Sequence, residues 1–464
     1  MRTRWFCISG SAMSSVNRPP RPSIRAALRV LALAAAAAVC LSAHAGAEVD
    51  IYLHTQRSES KLIEVAVPPF SISGGDGEDY GQRASTIINN DLEFSGFFRP
   101  TKNYDFMKQA TERDLKNARI DFNEWRTLAS NFLAKGAIDF KKNGNMAVEM
   151  RVYDLQTKKL FFSKRYIGPR TLFRQIVHQF SDDFIMRLTG ERGISRTKIA
   201  FVSKVMGRKE LFVMDYDGFN PRPITSDRSI VLLPHWNPKS NLILFTTYRY
   251  RNPDLYAIDL KANVRYPISR KIGLNTTGEW SPDGTKVAFS LSRNGNSEIF
   301  MCDANGSNVR QLTHWESIET SPTWSPDGKQ IAFTSDMSGS PQIYVIDVDG
   351  KNRRRLTYKG GYNDGASWSP KGDYIAYSSL LDGKFNIALV NPKDSSDVSQ
   401  LTSGPGTSET PSWSPDGRHI AFSSNRDGRK QVYIMNANGE NQRQITFLSG
   451  GGYTPAWGPN LASK

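Results

Sequence analysis

A tryptophan returns along this chain at almost constant intervals. It stands at positions 236, 280, 324, 368, 413 and 457, in steps of 44, 44, 44, 45 and 44 residues. In the clearest copy, Trp324-Ser325-Pro326-Asp327-Gly328 leads into Ile331-Ala332-Phe333-Thr334. The phrase recurs at Trp280-Ser281-Pro282-Asp283-Gly284, Trp368-Ser369-Pro370-Lys371-Gly372 and Trp413-Ser414-Pro415-Asp416-Gly417. It is weaker at Trp236-Asn237-Pro238 and cut short at Trp457-Gly458-Pro459. A period of about 40–45 residues holding several short strands is the mark of a β-propeller. Within each unit Pro presets φ, Asp tolerates the next position and Gly closes the turn, which makes the phrase a tight reversal between antiparallel strands. Residues 331–334 and 342–347 then read as the second and third strands. Asp349-Gly350 is a hairpin tip, and 354–357 reads as the fourth strand. Four strands per period make one blade.

The two ends of the array complement each other. Trp457 has no Ile-Ala-Phe strand after it, and Ile199-Ala200-Phe201 has no Trp phrase before it. Pairing a strand at 454–457 with strands at 198–201, 211–215 and 222–225 closes the ring and removes two exposed sheet edges. Six Trp phrases therefore give six blades. The expected fold is an α+β amino-terminal domain followed by an all-β six-bladed β-propeller, closed by the C-terminal strand pairing with the first propeller strands. The expected boundaries are 1–47 for a leader, 48–195 for the α+β domain and 196–464 for the propeller.

The leader reading rests on six arginines and no acid within residues 1–47, an apolar run from Val30 to Leu41, and small-residue cleavage sites after Ala45 or Ala47. Met13 is an alternative start, and Cys40 raises a lipoprotein as the minor alternative. The run is too short and too rich in Ala for a membrane span. Cleavage would leave Cys302 as the only cysteine, which excludes an intrachain disulfide and suits a bacterial periplasm. The chain carries a formal charge of +15, with 60 basic against 45 acidic residues. Without the leader the excess is moderate and spread out, which reads as a solvated surface and not a nucleic-acid tract.

Residues 48–195 show no repeat. Residues 63–68 read as a strand, 71–79 as a Gly-rich acidic loop, and 82–94 as a helix by apolar spacing. Residues 122–132 read as a second helix. Strands at 134–141, 146–154 and 159–166 form a meander with turns at Asn143-Gly144 and Gln156-Thr157. Residues 172–188 make a third helix, and a linker at 189–196 leads into the propeller.

No catalytic or metal-ligating constellation emerges. The six histidines lie at 44, 54, 178, 235, 314 and 419, with no pair at metal-ligand spacing. There is no Gly-x-Ser-x-Gly elbow, and Gly74-Gly75-Asp76-Gly77 lacks the Lys-Ser/Thr of a phosphate loop. The repeated Asp residues are turn formers and the repeated Trp residues are wedges between blades. Residues that differ between blades are better candidates. Asn275 and Thr276, Glu319 and Thr320, Asn363 and Asp364, Glu409 and Thr410, and Tyr453 stand three to five positions before their Trp. All are placed at one mouth of the central channel. The loops at 204–209, 248–252, 293–296, 336–340, 380–384 and 425–430 emerge at the same end and are mostly basic. An acidic and amide ring inside a basic rim suits a protein-docking face.

The order leader, α+β domain with Ile88-Asn89-Asn90-Asp91-Leu92 and Ser95-Gly96-Phe97-Phe98, then six Trp-Ser-Pro-Asp-Gly blades resembles the TolB family, the periplasmic propellers of the Tol–Pal system of Gram-negative bacteria. The resemblance implies a non-enzymatic adaptor; from the residues, no metal ligand set, cofactor, nucleic acid or membrane span is expected, an ion in the central channel is left open, and a monomer is expected. The resemblance also implies that the mouth residues bind the lipoprotein Pal, and that the mature amino terminus, Glu48, Val49, Asp50 and Ile51, engages TolA. It further implies a part in outer-membrane integrity and in membrane invagination during division. Lys271 and Leu274 depart from the family's pattern at one entry loop, as do Tyr52-Leu53-His54-Thr55 beyond the amino terminus. The rival readings are a glycan-binding propeller using Tyr248, Tyr250, Tyr358, Tyr362 and Tyr453, and a hydrolase or lyase working in the channel.

Overall fold

The computed structural model describes residues 62–74, 79–293 and 295–461. The leader and the Glu48–Ile51 segment lie outside the described residues.

The amino-terminal part is built on one six-stranded mixed sheet. Its strands are β1 (Ile63–Ala66), β2 (Ser71–Ser73), β3 (Phe98–Pro100), β4 (Phe132–Phe140), β5 (Asn145–Asp154) and β6 (Lys159–Pro169), in the order β3-β1-β4-β5-β6 with β2 also paired to β4. The expected meander is β4-β5-β6, antiparallel throughout. Strands β1 and β2 join it in parallel, so the stretch expected to be a loop at 71–79 begins with a strand.

The helices are α1 (Tyr80–Phe94), α2 (Tyr104–Asn117), α3 (Phe122–Arg126) and α4 (Phe173–Thr189). Asp79 caps α1, its carboxylate accepting from the Gln82 amide at 3.1 Å. Apolar faces of α1 and α4, including Ile88, Leu92, Phe180 and Phe184, close over Val65, Ile138 and Val148 of the sheet. Helix α2 was not expected. It buries only Met107, Ala110, Thr111 and Asp114, too few apolar side chains for a hydrophobic period to show. Its Asp114 instead accepts from the Trp125 indole at 2.8 Å and the Lys135 ammonium at 2.6 Å. The helix expected over 122–132 stops at Arg126, because Ala129 takes a left-handed conformation (φ 54°) and Phe132 already belongs to β4.

The propeller has six four-stranded antiparallel sheets. The closing sheet joins Tyr453–Trp457 to Lys198–Val205, with Ala456 opposite Ala200 and Trp457 opposite Ile199. The Ile-Ala-Phe phrase explains how the blades stack. In a strand, alternate side chains face opposite sides. Ile331 and Phe333 pack against Ile299, Met301 and Leu312 of the blade before. Ala332 faces the blade after, where its small side chain admits Ile375 and Tyr377. The turn phrase behaves as read: Ser325 donates to Asp327 at 2.6 Å and accepts from the Gln330 amide at 2.9 Å, and Gly328 sits at φ 70°. Four of the fourth strands are only two residues long, among them Arg222–Pro223 and Arg354–Arg355, shorter than expected, whereas Val264–Ser269 and Asp394–Gln400 are longer.

The C-terminal turn of α1 and the residues between it and β3 meet the propeller. Buried Asp91 accepts from the Tyr216 hydroxyl at 2.5 Å and lies 2.8 Å from His178 Nδ1. Phe94 stacks on His419 at 4.0 Å between centroids, and the Arg418 guanidinium lies 3.9 Å over Phe97. Arg418 also pairs with Glu191 at 3.0 Å. The docking is therefore wider than the linker alone. Burial opposes charge on His178, but the Asp91 carboxylate more than offsets it and holds the imidazole above its ordinary 6.5.

Removing one partner of a buried charged pair leaves the other uncompensated. Asp91→Ala is expected to destabilise the protein by about 3–5 kcal/mol in chemical denaturation. A histidine raised in the folded state contributes stability that is fully present below its unfolded value and is lost as pH rises through the folded one. The gap between wild type and Asp91→Ala should therefore be widest below about pH 6.5 and narrow above it. A gap that widens with pH contradicts this assignment.

Candidate functional site: the channel and its mouth

The first strand of each blade runs down the channel wall from the mouth to its Trp. Three residues before each Trp the backbone turns left-handed: Leu233 (φ 53°), Thr277 (49°), Ser321 (53°), Gly365 (64°), Thr410 (55°) and Thr454 (45°). The ladder shifts register at each of these points. Such a bulge bends the strand and re-aims its side chains. Five of the six residues are not glycine, so each holds a conformation costing of the order of 1 kcal/mol, maintained by the surrounding sheet.

The bulge sorts the expected mouth residues into two sets. Five positions before the Trp, Asn275, Glu319 and Asn363 are fully buried. Asn275 donates to the carbonyls of Pro253, Lys271 and Gly273 and accepts from the Ser269 hydroxyl at 2.6 Å. Asn363 donates to Gln342 at 2.8 Å and to the Lys359 carbonyl at 2.7 Å. Glu319 accepts from Ser335 at 2.8 Å, and burial raises its pKa. These three side chains tie entry loops to their blades. They are inside the wall, not on the exposed ring where they were expected.

Four positions before the Trp, Thr276, Thr320, Asp364, Glu409 and Tyr453 are partly exposed. Thr276 lies 3.2 Å from Thr246, and Asp364 accepts from Thr334 at 2.8 Å, both on the preceding blade. Glu409 belongs to this set and not with Glu319, because it stands four residues before Trp413 whereas Glu319 stands five before Trp324; Ser408 takes the buried place. Glu409 accepts from Lys430 at 2.8 Å. Thr410 is the bulge residue itself. The loops around this mouth also expose apolar side chains, among them Met206, Ile272, Ile318, Tyr358 and Phe447. A patch of this kind, rimmed by charge, is characteristic of protein-contact surfaces.

The opposite end of the channel opens into a cavity of about 610 Å³ lined by the six Trp residues, their following prolines and the linker Glu191–Ile194. Here His235 and Glu279, each immediately before a Trp, face one another at 3.4 Å. Sequence reading passed over both, because each stands beside a repeat residue in a place that varies from blade to blade. Burial pushes the Glu279 carboxyl up to about 8, against the pull of the Trp324 amide and the Thr323 hydroxyl. Burial also pushes His235 down to about 4. Both groups are thus held toward their neutral forms in the lumen. Among the described residues no group of three or more His, Cys, Asp and Glu side chains is placed to hold a metal, and no helix is long and apolar enough to cross a membrane.

These features define a closed six-bladed propeller with an α+β part docked beside its closing seam and a mouth whose loops combine apolar and charged groups. The TolB beta propeller domain matches residues 185–461 and the TolB amino-terminal domain matches residues 52–161. The chain belongs to the TolB family. It is 35% identical over 254 residues, 54% of this chain and 56% of the relative, to the Tol-Pal system protein TolB of Desulfosudis oleivorans. It is 38% identical over 209 residues, 45% of this chain and 48% of the relative, to that of Syntrophotalea carbinolica. The chain thus spans about half the length of the curated relatives it matches. The crystal structure of TolB from Acinetobacter baumannii superposes with a TM-score of 0.74 at 28% identity, over 86% of this chain and 98% of that one.

A carboxyl raised in the folded state contributes stability that is fully present below its unfolded value, here 4.5, and is lost as pH rises through about 8. Glu279→Gln removes that titration. The stability of Glu279→Gln relative to wild type is expected to increase between pH 5 and pH 8 in denaturant titrations. A difference that stays flat over this range would count against a neutral Glu279.

Proposed function

We propose that this protein is a non-enzymatic, monomeric periplasmic adaptor of the Tol–Pal system. In this reading residues 1–47 are an export leader, 48–195 the α+β domain and 196–464 the propeller. The mouth binds Pal, with Thr276, Thr320, Asp364, Glu409 and Tyr453 at the contact and Asn275, Glu319, Asn363 and Thr410 holding the loops that carry them. Glu48, Val49, Asp50 and Ile51 engage TolA, and the assembly maintains the outer membrane and supports its invagination at division.

The observation that carries the reading is the presence of both TolB modules in one chain. Their junction is made by Asp91, Phe94 and Phe97 of the very segment on which the family likeness rests. The mouth supports it further, since apolar side chains such as Ile272 and Ile318 stand exposed beside the polar inner strands. A surface of mixed apolar and charged groups suits a protein partner better than a small polar substrate.

Calorimetric titration with the soluble domain of Pal from the same organism tests it. Wild type is expected to bind. Thr320→Arg/Asp364→Arg, which crowds the mouth, should weaken binding at least about tenfold, or 1.4 kcal/mol, with an unchanged melting temperature. Deleting residues 48–51 should abolish binding of TolA and spare that of Pal. Absence of Pal binding by wild type rejects the assignment, and full binding by the crowded variant moves the site away from the mouth.

A further inference from the structure

On the rim between the Trp413 and Trp457 blades, two lysines converge on one aromatic ring and a third stands beside them. Lys204 and Lys209 lie on the two arms of the hairpin formed by Lys198–Val205 and Arg208–Asp215. Their ammonium groups stand 5.9 and 5.4 Å from the centroid of Tyr453. Lys430 comes from the neighbouring blade and donates to Glu409 at 2.8 Å. Neither Lys204 nor Lys209 pairs with a carboxylate among the described residues. Burial, and then repulsion from Lys204 and Lys430, lowers the pKa of Lys209. Like charges this close, with one acid between three of them, leave the spot short of negative charge.

A glycine run builds the spot. Gly450, Gly451 and Gly452 pass between the two lysine-bearing turns: the Lys204 amide donates to Gly450 O at 3.2 Å, and the Gly452 amide donates to Lys430 O at 2.8 Å. A Cβ on Gly450 would lie 2.1 Å from Lys204 O, and one on Gly451 would lie 2.8 Å from Lys430 O. The absence of side chains lets both lysine backbones close in on Tyr453. Beside the cluster Met206 is 100% and Phe447 79% exposed. A free anion has no use for that apolar margin, whereas a folded partner does, since docking surfaces pair buried apolar anchors with flanking charge.

We propose that Lys204, Lys209 and Lys430 around Tyr453 form a seat for a carboxylate side chain of the protein that docks at the mouth, with Met206 and Phe447 covering apolar side chains next to it. The proposal rests on the mouth being the docking face, as proposed above, and adds the chemistry that face selects: an acidic residue flanked by apolar ones. Lys430 is already engaged by Glu409, so the incoming carboxylate is held chiefly by Lys204 and Lys209. Cation–π contact with Tyr453 keeps their ammonium groups over one point.

The test compares Lys204→Gln/Lys209→Gln with wild type and with a control pair of exposed lysines at the end of the propeller opposite the mouth, Lys329→Gln/Lys393→Gln. Each purified protein is titrated with the soluble Pal domain and, separately, with an amidated hexaglutamate peptide at low salt. The seat predicts that Lys204→Gln/Lys209→Gln weakens Pal binding about tenfold or more and flattens its salt dependence. The control pair should change binding less than about twofold, and Lys204→Arg/Lys209→Arg should restore most of the affinity. Equal Pal affinity in wild type and the seat variant, or equal losses in the seat and control variants, overturns the seat while leaving the mouth reading in place. If wild type does not bind Pal at all, the partner assignment fails and the peptide decides. Peptide binding by wild type that is lost in the seat variant upholds the seat; no peptide binding, or binding kept by the variant, overturns it.

Discussion

The contact on which the ring depends is the one each tryptophan makes across the gap between blades. Trp236 donates its indole N–H to Ala456 O at 3.1 Å, Trp324 to Glu279 O at 3.3 Å, and Trp413 to Ser367 O at 3.0 Å. The acceptor in every case is the residue just before the Trp of the preceding blade. Trp457 donates instead to Thr197 at 2.9 Å, at the junction between linker and closing sheet. Trp280 and Trp368 pack without that bond. A large apolar ring with one polar handle is suited to this place, where most of the side chain leaves water and four of the six N–H groups find a partner. Because each wedge is set by the blade before it, the blade angle is repeated, and six repeats bring the last strand beside the first.

The closing seam is also where the α+β part attaches. Ile199, Phe201 and Met214 of the closing sheet pack with Val432, Ile434 and Trp457, and Phe94 of the amino-terminal part joins the same cluster. Phe94 reaches both His419 and Trp457. Anything that changes the docking of α1 and α4 therefore acts on the seam. The Asp91–His178–Tyr216 cluster adds a polar lock to that apolar contact. A buried network of this kind is specific in geometry because each unmade bond is costly. This gives the two parts of the molecule a mechanical connection that a flexible linker would not provide.

At the other end of the channel, architecture and recognition share the same strands. Asn275, Glu319 and Asn363 hold the entry loops from within, and the residues next to them in the chain are offered outward. The alternation is enforced by the left-handed residue that follows in every blade. Substitution at an inner position would move a loop, and substitution at the adjacent position would alter only the surface it presents. The mouth can therefore vary its contacts without disturbing the propeller.

Much of this was legible in the linear sequence. The period of the tryptophans determined the blade count. Turn chemistry within Ser325-Pro326-Asp327-Gly328 determined the reversals, and strand alternation in Ile331-Ala332-Phe333 determined which side chains enter which blade interface. These are local properties, decided by backbone preferences and by neighbours a few residues away. Helix α2 and the short end of α3 were not legible, because one has too few apolar contacts and the other is followed by a left-handed alanine that nothing in its residue type announces. The site was legible only in outline. Its location at the mouth followed from the repeat, but the division into buried and outward residues did not. That division depends on bulges at Leu233, Thr277, Ser321, Thr410 and Thr454, none of them a residue type that favours positive φ. Likewise the gathering of Lys204, Lys209, Lys430 and Tyr453 joins the two ends of the propeller across its closing seam. Sequence alone decided what repeats, since repetition is written in neighbouring residues. Only the closed tertiary structure decided what meets, since those contacts exist once strands more than 200 residues apart share a sheet.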